Sequence, residues 1–318
     1  MKTLQLIAIN FGFALILYPF FIRFLNARNH QQSVSEFALD SFKEKKKTPI
    51  LGGVIFILVP TVSTLVLYPA LRTDTKVWMI LLAYVGYGLL GFVDDLKILI
   101  EKNNKGLSAR FKFLIQIALA LVFYVLFKQT LSTSLTLPLL NQSFDMGVLY
   151  AVLVLVMLAG ASNGVNLTDG MDGLAGGTSL IALLAFSILA YLQNELSVFY
   201  LIVAMMSSLG AYLIFNRHPA QIFMGDTGAL ALGAGLAAIA LVLKQELAFI
   251  VIGGVFVYET LCVMLQISWV KLFKRRLFRY TPIHYSYTLS GWKERHVVYF
   301  FWVLGLIFMV LGLGIALL

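Results

Sequence analysis

Five aspartates stand in three short strings within an otherwise apolar chain. Asp94 and Asp95 close Gly-Phe-Val-Asp-Asp (91–95). Asp169 and Asp172 lie in Asn-Gly-Val-Asn-Leu-Thr-Asp-Gly-Met-Asp-Gly-Leu-Ala-Gly-Gly (163–177), and Asp226 lies in Phe-Met-Gly-Asp-Thr-Gly (223–228). An Asp at the centre of a membrane helix costs about 2.5–3.5 kcal/mol, and less near the interface. That cost is offset only where the acids meet water, cations or one another. The adjacent pair also repels itself, so at least one member needs a cation or a proton. Hard oxygen ligands, in a chain with 4 His and 1 Cys, point to Mg2+ rather than zinc. Each string alone has a plain structural reading. Asp94-Asp95 suits a solvated helix end, and Asp226 a turn or cap. Asp169 suits an N-cap with Asp172 in the first turn of the next helix.

The glycines around the second string, Gly170, Gly173, Gly176 and Gly177, permit tight turns and close backbone approach. A helix starting there would aim amide N–H groups at an anion. The string is not a P-loop, and its acids would repel phosphate. A metal bridging carboxylates to a diphosphate resolves that conflict. Among the basic residues near the aspartates, Lys45 sits in Lys45-Lys46-Lys47 ahead of Thr-Pro-Ile-Leu-Gly-Gly (48–53). Lys97, Lys102, Lys105, Arg110 and Lys112 follow Asp95, and Lys112 stands out because it opens an apolar helix.

The elements that must position these residues are membrane helices. The 318 residues are 60% hydrophobic and only 12% charged, which makes lipid the bulk solvent. With about 20 apolar residues per span, the pattern predicts an all-α polytopic membrane protein of about ten helices in one domain, 1–318. The predicted spans are 3–25, 49–70, 77–94, 111–128, 146–162, 174–192, 197–215, 228–243, 247–270 and 297–317. The first reads as a span, since no small-residue cleavage pattern follows it. The lone Cys262 excludes an intramolecular disulfide framework.

Loops 28–48, 95–112, 163–173, 216–227 and 271–296, with Arg23 at their margin, carry 19 of the 24 Lys and Arg. The opposite side carries Lys2, Arg72, Lys76, Lys128 and Lys244. The basic side is cytoplasmic by the positive-inside rule, so both termini are expected to be extracytoplasmic. All five aspartates then fall at cytoplasmic helix ends, although basic residues alone set the orientation. The net charge of +9 is therefore a topology signal, suited to anionic lipid and phosphate and not to nucleic acid.

With these strings side by side, the chain resembles the polyprenyl-phosphate N-acetylhexosamine-1-phosphate transferases over nearly its whole length. Within that family it looks most like the muramoyl-pentapeptide branch. The resemblance is carried by Thr48-Pro49 with Gly52-Gly53, Gly91 to Asp95, Gly106-Leu107 with Lys112 and Gln116, Asn163 to Ala175, and Phe223 to Gly228. It continues through Glu259-Thr260-Leu261 with Gln266, and Pro282-Ile283-His284 with Gly291-Trp292 and Glu294. Leu167-Thr168, Thr227-Gly228 and the Gly291 to Glu294 string favour the muramoyl branch over the GlcNAc-1-phosphate transferases. An anionic-substrate transporter is the rival from another class, but its site would lie near the midplane.

The resemblance implies a reaction in a bacterial plasma membrane, with its active site on the cytoplasmic face. Undecaprenyl phosphate attacks the β-phosphorus of UDP-N-acetylmuramoyl-pentapeptide, UMP leaves, and a lipid-linked diphosphate sugar forms. Mg2+ is the implied cofactor and Asp226 its implied ligand. Asp94, with Asp95 beside it, would deprotonate or position the lipid phosphate, making Asp94, Asp95 and Asp226 the catalytic set. Lys45, Lys112, Asn163, Asn166, Asp169, Gly170, Asp172, Phe223, Gln266 and His284 would bind substrate, with Phe223 stacking on uracil. The family's histidine cluster is reduced here to His284-Tyr285-Ser286, and Lys47 and Ile98 also depart from its pattern. A homodimer is a further expectation of the resemblance.

Overall fold

The computed structural model describes residues 2–28, 48–101, 106–140 and 142–318. Twelve α-helices occur among them: α1 (Lys2–Ala27), α2 (Gly53–Leu67), α3 (Thr75–Glu101), α4 (Ala109–Thr130), α5 (Tyr150–Thr168) and α6 (Leu174–Leu192). The rest are α7 (Leu196–Asn216), α8 (Gly225–Val242), α9 (Glu246–Ile252), α10 (Gly254–Phe273), α11 (Ile283–Leu289) and α12 (Glu294–Ala316). The strands, β1 (Ser134–Leu137) and β2 (Gln142–Asp145), form one antiparallel hairpin between α4 and α5.

Among the described residues, 9 helical stretches are long and apolar enough to cross a membrane. The expected tenth, α2, has only 15 residues. At 1.5 Å per residue it is roughly 22 Å long, short of a ~30 Å hydrocarbon core. The chain is thus an all-α polytopic membrane protein with a small hairpin.

Two helix ends differ from expectation in ways that move site residues. α3 runs past Asp94 and Asp95 to Glu101 instead of closing at them. Successive residues on a helix point about 100° apart, so the two carboxylates serve different neighbours. α5 continues to Thr168, so Asn163 and Asn166 project from a helix and not from a loop. No proline interrupts 163–168, Gly164 sits where a Cβ would press on Thr260 and Phe256 of α10, and Thr168 Oγ1 donates to the Gly164 carbonyl at 2.8 Å. Asp169 then caps the C-terminus of α5, while α6 starts after Gly173 at φ +79°. The chain reverses at that left-handed residue, where glycine is favoured, so Asp169 is not the N-cap of α6. The expected span 247–270 is divided at Gly253 into α9 and α10.

α8 is the axis of the bundle. Every residue from Thr227 to Val242 is buried, and α3, α5, α2 and α6 all pack against it. Its sequence, GDTGALALGAGLAAIALV, is made of small residues and Leu, Ile and Val. Small residues let membrane helices approach backbone to backbone. A Cβ on Gly91 would collide with the Asp226 carbonyl, and one on Gly233 with the Ala161 carbonyl. At the end of the bundle away from the aspartates, Lys244 donates to Glu246 at 2.6 Å and to the Tyr150 hydroxyl at 2.8 Å. Near that end Lys76 pairs with Glu195.

The packing of α3 on α8 yields a test. Gly91→Ala is expected to lower the thermal midpoint in detergent, at a cost of about 1–3 kcal/mol for forcing two backbones apart. An unchanged midpoint would show that the helices are not held at this distance.

Candidate active site

Three helices bring one ammonium between two carboxylates. Lys112 Nζ, from the first turn of α4, lies 2.7 Å from Asp94 Oδ2 and 2.8 Å from Asp226 Oδ2. Ser108 starts α4 by accepting the Phe111 N–H with its hydroxyl, which fixes the turn that carries Lys112. The other oxygen of Asp94 accepts the Leu107 N–H at 2.5 Å, and Asn166 donates to the other oxygen of Asp226 at 3.1 Å. Asp94 is only 2% exposed, so its charge needs these partners.

Asp95 faces the other way and fastens the start of α8. Its Oδ1 accepts the Asp226 N–H at 3.1 Å, and its Oδ2 accepts the Thr227 N–H at 2.9 Å and hydroxyl at 2.6 Å. An acid supplied to the first N–H groups of a helix satisfies orphan donors and favours the positive end of its dipole. Gly225, at φ +69°, permits the approach, since a Cβ there would meet the Asp95 carboxylate. The geometry makes Asp95 the residue that places Asp226, whereas Asp94 and Asp226 face the shared cation.

The second string ties loops together. Asp172 Oδ2 is 2.9 Å from His218 Nδ1 and accepts the Ala220 N–H at 3.1 Å. The Asp172 N–H donates to Glu294 Oε1 at 2.9 Å, so the α5–α6 turn, the α7–α8 loop and the start of α12 meet here. Gly173 N–H donates to Asn216, whose amide donates in turn to the Ile222 carbonyl. Phe223 is half-buried and held by its backbone: its N–H donates to the Pro49 carbonyl at 2.9 Å, and its carbonyl accepts from Gly52 N–H at 2.8 Å. Asn163 is exposed and donates to the Ala159 carbonyl of its own helix.

On α10 and α11, Gln266 Oε1 accepts from the Leu277 and Phe278 N–H groups and its amide donates to the Phe278 carbonyl. That side chain shapes the chain leading to α11. His284 opens α11 beside Glu259, and its ring lies against Gly170. Tyr285 donates to the Gly170 carbonyl at 3.2 Å. Burial pushes its phenol up, which keeps it a neutral donor. Lys45 lies outside the described residues.

The structure thus gathers Asp94, Lys112, Asn166 and Asp226 in one hydrogen-bonded group, with Asp95 behind it. Asp169, Gly170 and His284 adjoin one another at the α5–α6 turn, and Asp172 faces away toward His218. Sequence reasoning did not single out His218 or Asn216. The available signal was that both lie in or beside the basic-side loop 216–227, just ahead of Asp226.

Among the described residues, two groups could hold a cation. The point between Asp94 and Asp226 already carries a positive charge from Lys112, and the two carboxylates that face it offer hard oxygens of the kind Mg2+ takes, while Asn166 turns its NH2 toward Asp226. The other group is Asp172, His218 and Glu294, whose ligand atoms lie within 4.8 Å of one another. Hydrogen bonds within that group already account for its closeness.

Comparison with known proteins agrees with this architecture. The family model described as glycosyl transferase family 4 matches residues 77–244, from α3 through α8. A protein of Geobacillus kaustophilus named phospho-N-acetylmuramoyl-pentapeptide-transferase is 43% identical over 310 residues, covering 97% of this chain and 96% of its own. Proteins of the same name from Oceanobacillus iheyensis and Bacillus licheniformis are each 44% identical, again covering 97% of this chain and 96% of their own. The chain belongs to glycosyl transferase family 4, among its phospho-N-acetylmuramoyl-pentapeptide transferases. The full-length similarity also takes in Glu259 and His284, which lie beyond the stretch the family model matches.

The capping role of Asp95 is open to measurement. Asp95→Ala is expected to cost about 1–2 kcal/mol, as loss of an N-cap does, and to lower the thermal midpoint with substrates absent. A midpoint equal to the parent's would remove Asp95 from that role.

Proposed function

We propose that this chain transfers phospho-N-acetylmuramoyl-pentapeptide from its UDP donor to undecaprenyl phosphate, releasing UMP and forming lipid I for peptidoglycan. The observation that carries this is the Asp94–Lys112–Asp226 bridge at one end of an apolar helical bundle, in a chain similar end to end to relatives of that name. A lipid phosphate and a water-soluble nucleotide meet naturally at such a membrane-interface site.

In the reaction an oxygen of the lipid phosphate forms a bond to the donor β-phosphorus. The bond from that phosphorus to the bridging oxygen breaks, and the electron pair leaves with UMP. Phosphoryl transfer depends on alignment and charge neutralisation more than on covalent help. Lys112 supplies one fixed positive charge where anions must converge. Asp94 is the residue placed to take a proton from, or orient, the attacking phosphate. Asn166 holds Asp226 by its second oxygen, and Asp95 holds it by the backbone.

Mg2+ is the proposed cofactor, with Asp226 as its ligand and Asp94 beside it. Bound there, it would neutralise the diphosphate and the departing UMP. Asp169, Gly170, Phe223 and His284 form the proposed nucleotide-sugar side. Gln266 and Asp172 act there through the loops they hold, and Asn163 and Lys45 complete the proposed substrate contacts. The excess of Lys and Arg on the loops around the site supports a cytoplasmic active face in the bacterial plasma membrane, with both termini outside.

The test is UMP release by the purified protein supplied with UDP-N-acetylmuramoyl-pentapeptide, undecaprenyl phosphate and Mg2+, with UDP-GlcNAc as rival donor. Release from the muramoyl donor alone is expected, and silence with both donors would sink the enzyme reading. Asp226→Asn is expected to lower Mg2+-dependent turnover about 100-fold or more, comparable to losing a principal charge-stabilising group. Full turnover in that variant would remove Asp226 as the metal ligand.

A further inference from the structure

Among the described residues, the buried side-chain atoms without a hydrogen-bond partner are four hydroxyls on α2, α6 and α7 and the Nε2 of His284. The histidine is the unusual case. Its Nδ1 lies 3.0 Å from Glu259 Oε1, and neither side chain has any solvent exposure. The second oxygen of Glu259 accepts the Ile283 N–H at 2.8 Å. One carboxylate on α10 therefore grips both the backbone and the ring at the start of α11.

The ring is confined on its other sides. Tyr285 packs on it with ring centroids 4.2 Å apart, and the Tyr285 hydroxyl donates to the Gly170 carbonyl. A Cβ on Gly170 would fall on His284 Nε2. The free nitrogen thus lies against the backbone of the turn between Asp169 and Asp172, where only glycine fits. A buried polar atom left unpaired is destabilising, so a histidine held in that state calls for a physical reason.

Glu259 decides which nitrogen is left. An ionised carboxylate only accepts, so the Nδ1 it engages carries hydrogen, and Nε2 is the one ring atom that remains available. We propose that Glu259 is a positioning residue for the transfer reaction. It fixes the His284 ring so that Nε2 accepts a hydrogen bond from a hydroxyl of the nucleotide-sugar donor at the Asp169–Gly170 turn. The inference rests on the reaction assigned above but concerns a residue whose hydrogen bonds go to Ile283 and His284 at the start of α11.

The experiment combines kinetics with imidazole 15N NMR on the full chain, labelled at histidine. In the wild type, His284 Nδ1 should carry hydrogen, and its Nε2 resonance should move on addition of UDP-N-acetylmuramoyl-pentapeptide. Glu259→Gln should lower kcat/KM for UMP release about 10- to 100-fold, as loss of a histidine's carboxylate partner does at metal sites. Glu259→Asp, which keeps the charge, should recover part of that loss. The double variant Glu259→Gln/His284→Ala should be no slower than His284→Ala, because Glu259 acts through the ring. Losses that multiply in the double variant, full turnover in His284→Ala, or a donor-insensitive Nε2 resonance would each overturn the proposal. The wild-type NMR arms need no variant to fold. A wild type that binds donor but releases no UMP would overturn the reaction while leaving the ring assignment to be judged by its resonances.

Discussion

The site depends on how the first turn of α8 is fastened to α3. Asp95 accepts two backbone N–H groups and a hydroxyl from Asp226 and Thr227, and Gly91 lets the two backbones close on each other. The cap sets the position of Asp226 relative to Asp94, the residue next to Asp95 in sequence. Two adjacent carboxylates on one helix therefore serve different ends. One holds a helix, and the other shares a cation with the helix so held. Their mutual repulsion is relieved because Asp95 meets a helix N-terminus while Asp94 meets Lys112.

Around this core, polar side chains hold the loops. Asp172 with His218 and Glu294 ties the α5–α6 turn to the α7–α8 loop and to α12. Gln266 holds residues 277–278, and Glu259 holds the start of α11. Reaction centres need their groups within fractions of an ångström of a working geometry, and packed second-layer contacts provide that. The site is thus built from turns pinned to rigid helices. That suits a reaction in which two anions must be aligned in line.

Much of this was legible in the sequence. The spans follow from the apolar run lengths, and the three acid strings marked the end of the bundle where Asp94, Asp169, Asp172 and Asp226 emerge. Helix ends were less legible. The charges of Asp94 and Asp95 look like a terminus, yet α3 continues because cross-helix partners neutralise them. Asn163 and Asn166 look like loop residues around Gly164, yet α5 runs through that glycine to Thr168 because it packs closely on α10 there. The division of labour between Asp94 and Asp95 was not legible, because sequence spacing gives the 100° between them but not what stands opposite each. Gln266 and Asp172 gave the same difficulty: their residue types suit substrate binding, but their nearest donors and acceptors belong to neighbouring loops.

A divalent cation is proposed at the carboxylate pair of Asp94 and Asp226, not at the mixed group of Asp172, His218 and Glu294. Replacing Mg2+ with Mn2+ and recording electron spin echo envelope modulation on the protein tests it directly. The expected result is a bound Mn2+ with no directly coordinated histidine nitrogen, lost in Asp226→Asn and retained in His218→Ala. A strong 14N coupling that disappears in His218→Ala would contradict it.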